Sequence, residues 1–139
     1  MALVLDTGVV FASLDEADRD YARCVALLEQ ERQDLVVPTP VLTEVDQLLG
    51  SRGLLPIWMR FTAAIGEGAL VLYPVTADLT MRAARLQERY ADFPIGFVDA
   101  AVFVTCEELG ERKVATLDRR HFSVLRTEAG DALQIVPEG

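Results

Sequence analysis

A three-layer α/β/α fold, with a parallel sheet of about five strands between two layers of helices, is what this sequence predicts. Two observations carry the prediction. Short apolar runs of strand length recur along the chain, and between them the hydrophobic period switches to helical spacing. Strands that alternate with helices in this way favour parallel pairing through crossover connections, and a parallel sheet must be covered on both faces.

In chain order, Ala2–Leu5 is a brief apolar run suited to a buried strand, and Asp6, Thr7 and Gly8 follow it. Residues 18–30 set Tyr21, Cys24, Val25 and Leu28 on one helical face with charges on the other. A second strand is expected at 35–37. In "VVPTPVLTEVDQLL" Thr39 and Pro40 read as an N-cap and first-turn pair, so a helix should run over 40–49, stop at Gly50 and carry Glu44 early. Another helix is expected over 56–65, then a strand at 70–73 ended by Pro74. From Thr76 a longer helix places Leu79, Ala83, Leu86 and Tyr90 on one face and Arg82, Arg85 and Arg89 along another edge. "ADFPIGF" reads as a loop and "VDAAVFVTCEELG" as a mostly apolar helix stopped by Gly110. Strands at 113–117 and 133–136 complete the set. With no internal repeat, low-complexity tract or linker, 1–139 reads as a single domain.

Composition narrows the function classes. There is no apolar run of membrane-spanning length, and "MALVLDTGVVF" lacks the basic segment and cleavage site of a secretory signal, so a soluble, cytoplasmic protein without a membrane partner is expected. Cys24 and Cys106 are far apart and outside any CxxC spacing, which points to packing thiols rather than a disulfide or zinc site. Thirteen Lys and Arg against 22 Asp and Glu give a net charge of -9, which argues against gripping nucleic acid with a broad basic face. It leaves room for a nucleic-acid enzyme whose contacts pass through metal ions.

In open parallel sheets, ligands bind beyond the carboxyl ends of the strands where the strand order reverses. Asp6 and Asp118 each follow a short apolar strand, while Glu44 and Asp99 lie near helix starts that face the same edge. Alone, each acid reads as a turn former or helix cap. Together, four carboxylates repel one another and lose solvation, so they coexist only if protonated or neutralised by cations. Their hard oxygens suit Mg²⁺ or Mn²⁺ rather than Zn²⁺. Such ions could bind a phosphodiester and make an acidic pocket compatible with an anionic substrate.

The segments "LVLDTG", "TPVLTEV", "GFVDAAV" and "ATLDRRHF", in that order over nearly the whole chain, resemble the PIN-domain ribonucleases, specifically the VapC-like toxins of toxin–antitoxin pairs. The resemblance implies a PIN-like fold with a five-stranded parallel sheet and a metal-dependent endoribonuclease. It implies Mg²⁺ or Mn²⁺ held by Asp6, Glu44, Asp99 and Asp118, and an RNA substrate hydrolysed by water. A homodimer and a cognate antitoxin, whose segment lies in a groove, are the partners it implies. Many relatives carry Ser or Thr a few residues before the acid matched by Asp99, where this chain has Gly96.

Around these acids, Thr7 and Thr116 are candidate hydroxyl donors to Asp6, Asp118 or a phosphate, and Thr116 reads equally as a β-branched strand residue. Asp92 reads as an outer group supporting the site or as a loop cap. Asp46 is expected to point away from Glu44. Arg119 and Arg120 read either as a solvated loop or as RNA phosphate contacts, and His121 as packing support beside Phe122. The Arg82, Arg85 and Arg89 edge reads as a solvated helix face. In "PIWMRFTAAI", Ile57, Phe61, Ala64 and Ile65 form a stripe flanked by Trp58 and Met59, a wider apolar arc than one core face needs, which suggests a partner. Two other classes compete with this reading. A phosphorylatable receiver domain needs an Asp after the third strand and a Lys after a late one, and both are missing. A catalytically silent PIN-like module that binds RNA or protein is the alternative, and retention of all four acids speaks against it.

Overall fold

The five apolar runs pair into one parallel sheet whose middle strand is the first in the chain. The computed structural model describes residues 1–139. Its elements are β1 (Ala2–Leu5), α1 (Thr7–Leu14), α2 (Tyr21–Gln30), β2 (Asp34–Pro38), α3 (Thr39–Ser51), α4 (Leu55–Gly66), β3 (Val71–Tyr73), α5 (Ala77–Arg89), α6 (Phe97–Leu109), β4 (Lys113–Ala115), α7 (Arg119–Phe122) and β5 (Gln134–Val136). The strand order is β3-β2-β1-β4-β5. Helices cover both faces, giving three α/β/α layers.

All four β1 residues are buried, as a central strand covered on two faces requires. Register follows from pairing Ala2 with Asp34 on one side and Leu5 with Ala115 on the other. Chain progression reverses between β1 and β4, so a crevice opens at their carboxyl ends.

Helix α6 seals the sheet. Residues Ala100 to Cys106 are buried on every side, because the helix lies between α5 and strands β1, β2 and β4. Thr105 avoids an unsatisfied hydroxyl by donating to the Ala101 carbonyl at 2.7 Å. The helix ends at Gly110, whose φ of 67° is left-handed and costs little without a Cβ. Fully buried side chains such as Phe103, Phe122, Leu3 and Val114 contribute roughly 1.5–3 kcal/mol each by leaving water. Cys24 and Cys106 are buried free thiols, and burial pushes Cys24 up to about 11.

Four expectations need correction. Helix α1 was not anticipated: Val9, Val10, Phe11 and Ala12 are all buried, so it shows no amphipathic period and reads as a continuation of the β1 apolar run. Thr39 does not cap α3. Pro38 is the N-cap residue, and the Thr39 hydroxyl instead accepts from the Val75 N–H at 3.2 Å, tying the exit of β3 to the start of α3. "RRHF" forms the one-turn helix α7 rather than a loop. The remaining differences are at boundaries: α2 starts at Tyr21, α3 runs through Gly50 to Ser51, β3 starts at Val71, β4 stops at Ala115 and β5 starts at Gln134.

Candidate active site

Asp6 leaves β1 at the sheet crevice and becomes the N-cap of α1. Its Oδ1 accepts from the Thr7 N–H at 2.9 Å and its Oδ2 from the Thr116 hydroxyl at 2.7 Å. Thr116 Oγ1 in turn accepts from the Asp118 N–H at 3.0 Å, which couples the ends of β1 and β4. The Asp6 backbone N–H also donates to the Ala115 carbonyl at 2.8 Å. Asp6 is therefore locked and is only 4% exposed. Both readings of this acid hold together: it caps a helix and it faces the other acids.

Glu44 reaches the site from α3, accepting a short hydrogen bond from the Thr7 hydroxyl. Thr7 thus serves Glu44 through its side chain and Asp6 through its backbone. Asp99 is in the first turn of α6, and Asp118 is the N-cap of α7. Oxygens of Asp99 and Asp118 and a ring nitrogen of His121 all lie within 4.8 Å of one another. Asp118 Oδ1 accepts from the His121 backbone N–H at 3.1 Å, and Oδ2 pairs with His121 Nδ1 at 2.8 Å.

The electrostatics bind the four acids into one unit. Burial pushes Asp6 up to about 6; hydrogen bonds from Thr116 and Thr7 oppose this, and the charges of Asp118 and Glu44 add to it. Burial, then the charges of Asp6, Asp118 and Glu44, lift Asp99 to about 8. Burial disfavours ionised Asp118 too, but the His121 backbone and ring, with a hydrogen bond from Asp99, outweigh it and hold Asp118 below the usual carboxylate range. Without a cation, a proton on Asp99 relieves the repulsion. These donors fit a hard divalent ion: several convergent carboxylate oxygens, no thiolate, and an excess of negative charge that proton uptake offsets only in part.

The outlying candidates divide. Asp92 is exposed and makes no hydrogen bond with the four acids, and Asp46 points to solvent. Arg119 donates to the Pro137 carbonyl at 2.9 Å, which commits it to the chain end. Arg120 lies 5.4 Å over the Phe93 ring. Arg82 pairs with Glu108 at 2.7 Å and Arg89 donates to the Arg126 carbonyl at 2.9 Å, as a solvated, self-paired edge would. His121 packs against Phe93, with ring centroids 5.1 Å apart, and binds Asp118, so its expected place beside Phe122 is incomplete. The spacing of an N-cap Asp and a His three residues on could have revealed this, once 119–122 was read as a helical turn.

The PIN domain family model matches residues 3–127. This chain belongs to the PIN-domain family. It is 32% identical over 135 residues, 97% of this chain and all of the relative, to Ribonuclease VapC26 of Mycobacterium tuberculosis. Among solved structures, the PIN domain is similar to VapC20 of Mycobacterium tuberculosis, a Sarcin-Ricin loop cleaving toxin, with TM-score 0.75, 22% identity and coverage of 81% and 86% of the two chains. It is also similar to VapBC2 from Rickettsia felis, bound to a promoter DNA fragment, with TM-score 0.69, 14% identity and 97% of each chain covered. At these identities the structural likenesses speak for the fold of the PIN domain.

Proposed function

We propose that this PIN domain is a VapC-like endoribonuclease toxin that hydrolyses RNA phosphodiester bonds with Mg²⁺ or Mn²⁺ and is restrained by a cognate antitoxin. The observation that carries the reading is the convergence of Asp6, Glu44, Asp99 and Asp118 at the sheet crevice, where burial and mutual repulsion raise two of them. The 32% identity to a ribonuclease over nearly the whole chain supports it. In this reading the chain is one cytoplasmic domain that works as a homodimer; no helix is long and apolar enough to cross a membrane.

Asp6, Glu44, Asp99 and Asp118 would hold the ion. When bound, the ion supplies neutralising charge to the acids and Lewis-acid polarisation to the phosphodiester. Thr116 and Thr7 keep Asp6 and Glu44 aimed into the crevice, and because both hydroxyls are committed to carboxylates neither is the nucleophile. Water attacks phosphorus, the bond to the departing ribose oxygen breaks, and no covalent enzyme intermediate forms. In this reading Asp92 plays no part in holding the acids, and Arg120, whose guanidinium lies over Phe93 and is not tied to a carbonyl as that of Arg119 is, serves as the phosphate contact.

An apolar groove of about 390 Å³ supports the partner. Ile57, Phe61 and Ala64 of α4 face Val10 and Leu14 of α1 and Leu28 of α2 across it. This uses the Ile57, Phe61 and Ala64 part of the α4 stripe, without Trp58, Met59 or Ile65, and it fits an apolar antitoxin segment laid along the groove. Solved relatives of the same fold include a toxin–antitoxin complex from Klebsiella pneumoniae.

RNA end-mapping after induced expression tests the function, comparing wild type with Asp6→Asn and Asp99→Asn. Each substitution keeps volume and removes a charge, so cleavage should fall roughly 100-fold or more while the fold is retained. Normal cleavage by folded Asp99→Asn would sink the assignment, and a wild-type protein that neither binds Mn²⁺ nor cuts RNA would favour a silent binding module.

A further inference from the structure

We propose that His121 is a positioning residue, which clamps the Asp118 carboxylate in the orientation the cation site needs. The inference rests on the metal-dependent reading above.

Asp118 is less enclosed by its surroundings than Asp6 is. Asp6 is immobilised by burial and by hydrogen bonds to both its oxygens, whereas the Asp118 side chain is 32% exposed and sits on a single helical turn. His121 grips it at both oxygens: the backbone N–H at Oδ1, 3.1 Å, and ring Nδ1 at Oδ2, 2.8 Å. Facing a carboxylate oxygen, an acceptor, the ring is placed to donate from Nδ1. Two donors from one residue define the carboxylate plane. Each oxygen still has a lone pair for a cation shared with Asp99.

The ring is braced in turn. Phe93 packs against it at 5.1 Å and 47°, and Arg120 lies over the same Phe93 at 5.4 Å. Phe93 belongs to the segment before α6, which is fastened by its own N–H to the Tyr90 carbonyl at 2.9 Å and by Gln87 Nε2 to the Ile95 carbonyl at 3.1 Å. That segment leads to Gly96, the N-cap of the helix bearing Asp99. The stack therefore links the backbone that carries Asp99 to the turn that carries Asp118. Because Nδ1 is committed to Asp118 Oδ2, the role assigned to His121 is alignment of that carboxylate rather than ligation of the ion.

The test is calorimetric titration of the full chain with Mn²⁺ after chelator treatment, on wild type, His121→Ala, His121→Asn and His121→Gln. Far-ultraviolet dichroism and metal-free melting provide the check of folding. The Asn amide nitrogen occupies nearly the place of Nδ1, while that of Gln reaches one bond too far. Loss of an outer hydrogen-bond partner costs roughly 10–100-fold in metal affinity, and that loss is expected for His121→Ala and His121→Gln, with most of it recovered in His121→Asn. Cleavage by the weakened variants should return at saturating Mn²⁺ with KM for RNA unchanged, a pattern that general structural damage does not produce. If His121→Ala does not fold, the Gln and Asn pair carries the comparison. Wild-type affinity in folded His121→Gln, or His121→Asn as weak as His121→Gln, overturns the positioning role alone. A wild-type chain that binds no Mn²⁺ overturns the metal-dependent reading and this inference with it.

Discussion

At the scale of single residues, Asp6 and Asp99 cost stability where they are ionised, and pH exposes that cost. Asp6 and Asp99 have folded values of about 6 and about 8 against 3.8 unfolded. Between 3.8 and those values the folded chain binds more protons than the unfolded one, so the stability of the metal-free protein falls as pH rises. For the nearly fully buried Asp6, a shift of about two units sets an upper bound of roughly 3 kcal/mol. Asp118 has the opposite sign: its contribution is present above 3.8 and is lost as pH falls through its depressed folded value, below the window of the other two. Metal-free melting temperature should therefore decline as pH rises from about 4 to about 8. Saturating Mn²⁺ should remove the decline, since the ion replaces the proton, and its affinity should rise with pH over the same range. Asp99→Asn should flatten the metal-free profile and raise the melting temperature most at the alkaline end. An unchanged slope in that variant, followed by scanning calorimetry in chelator, would refute the assignment of the raised value to Asp99.

At the scale of elements, what could be read from sequence depended on whether the environment of an element is one-sided. Helix α5 was legible because Leu79, Ala83 and Leu86 face the core while arginines face water. Helix α6 was legible from its long apolar run and Gly110. Helix α1 was hidden because it is buried all round and starts only two residues after β1 ends. Within the site, Asp6 and Asp118 showed themselves as acids at strand ends. The link between Thr7 and Glu44 could not show, since it joins residues 37 apart through tertiary packing. The start of α6 yields a prediction at this scale. Gly96 is its N-cap with an ordinary φ of -73°, makes no side-chain cap, and has open space where a Cβ would stand. Gly96→Ser would supply an oxygen for the orphan N–H groups of the first turn, Asp99 among them, and restrict the unfolded chain. A stabilisation of roughly 0.5–1 kcal/mol is expected in urea denaturation. Destabilisation would mean that the helix start has no room for the side chain.

At the scale of the whole molecule, the acidic crevice and the apolar groove are different surfaces that both reach α1. The acids collect at the carboxyl ends of β1 and β4, while the apolar groove is formed along α1, α2 and α4. A chain of net charge -9 draws RNA weakly from a distance, so on the proposed reading its approach would depend on the cation held by the acids and on Arg120. On the same reading the antitoxin would instead meet an apolar surface, whose affinity depends little on that field. A charge placed in the groove should consequently separate restraint from catalysis. Ala64 lines the groove and is half-buried on α4, so Ala64→Glu introduces a carboxylate that a docked apolar segment would desolvate without a partner. Loss of more than about 2 kcal/mol of antitoxin binding, or roughly 30-fold in Kd, is expected for a central position of this kind. Mn²⁺ affinity and RNA cleavage by the isolated variant should remain at wild-type levels. Co-expression with the cognate antitoxin gives the decisive comparison: growth arrest should persist with Ala64→Glu and be relieved with wild type. Full relief in both strains would move the antitoxin off this groove while leaving the metal site assignment intact.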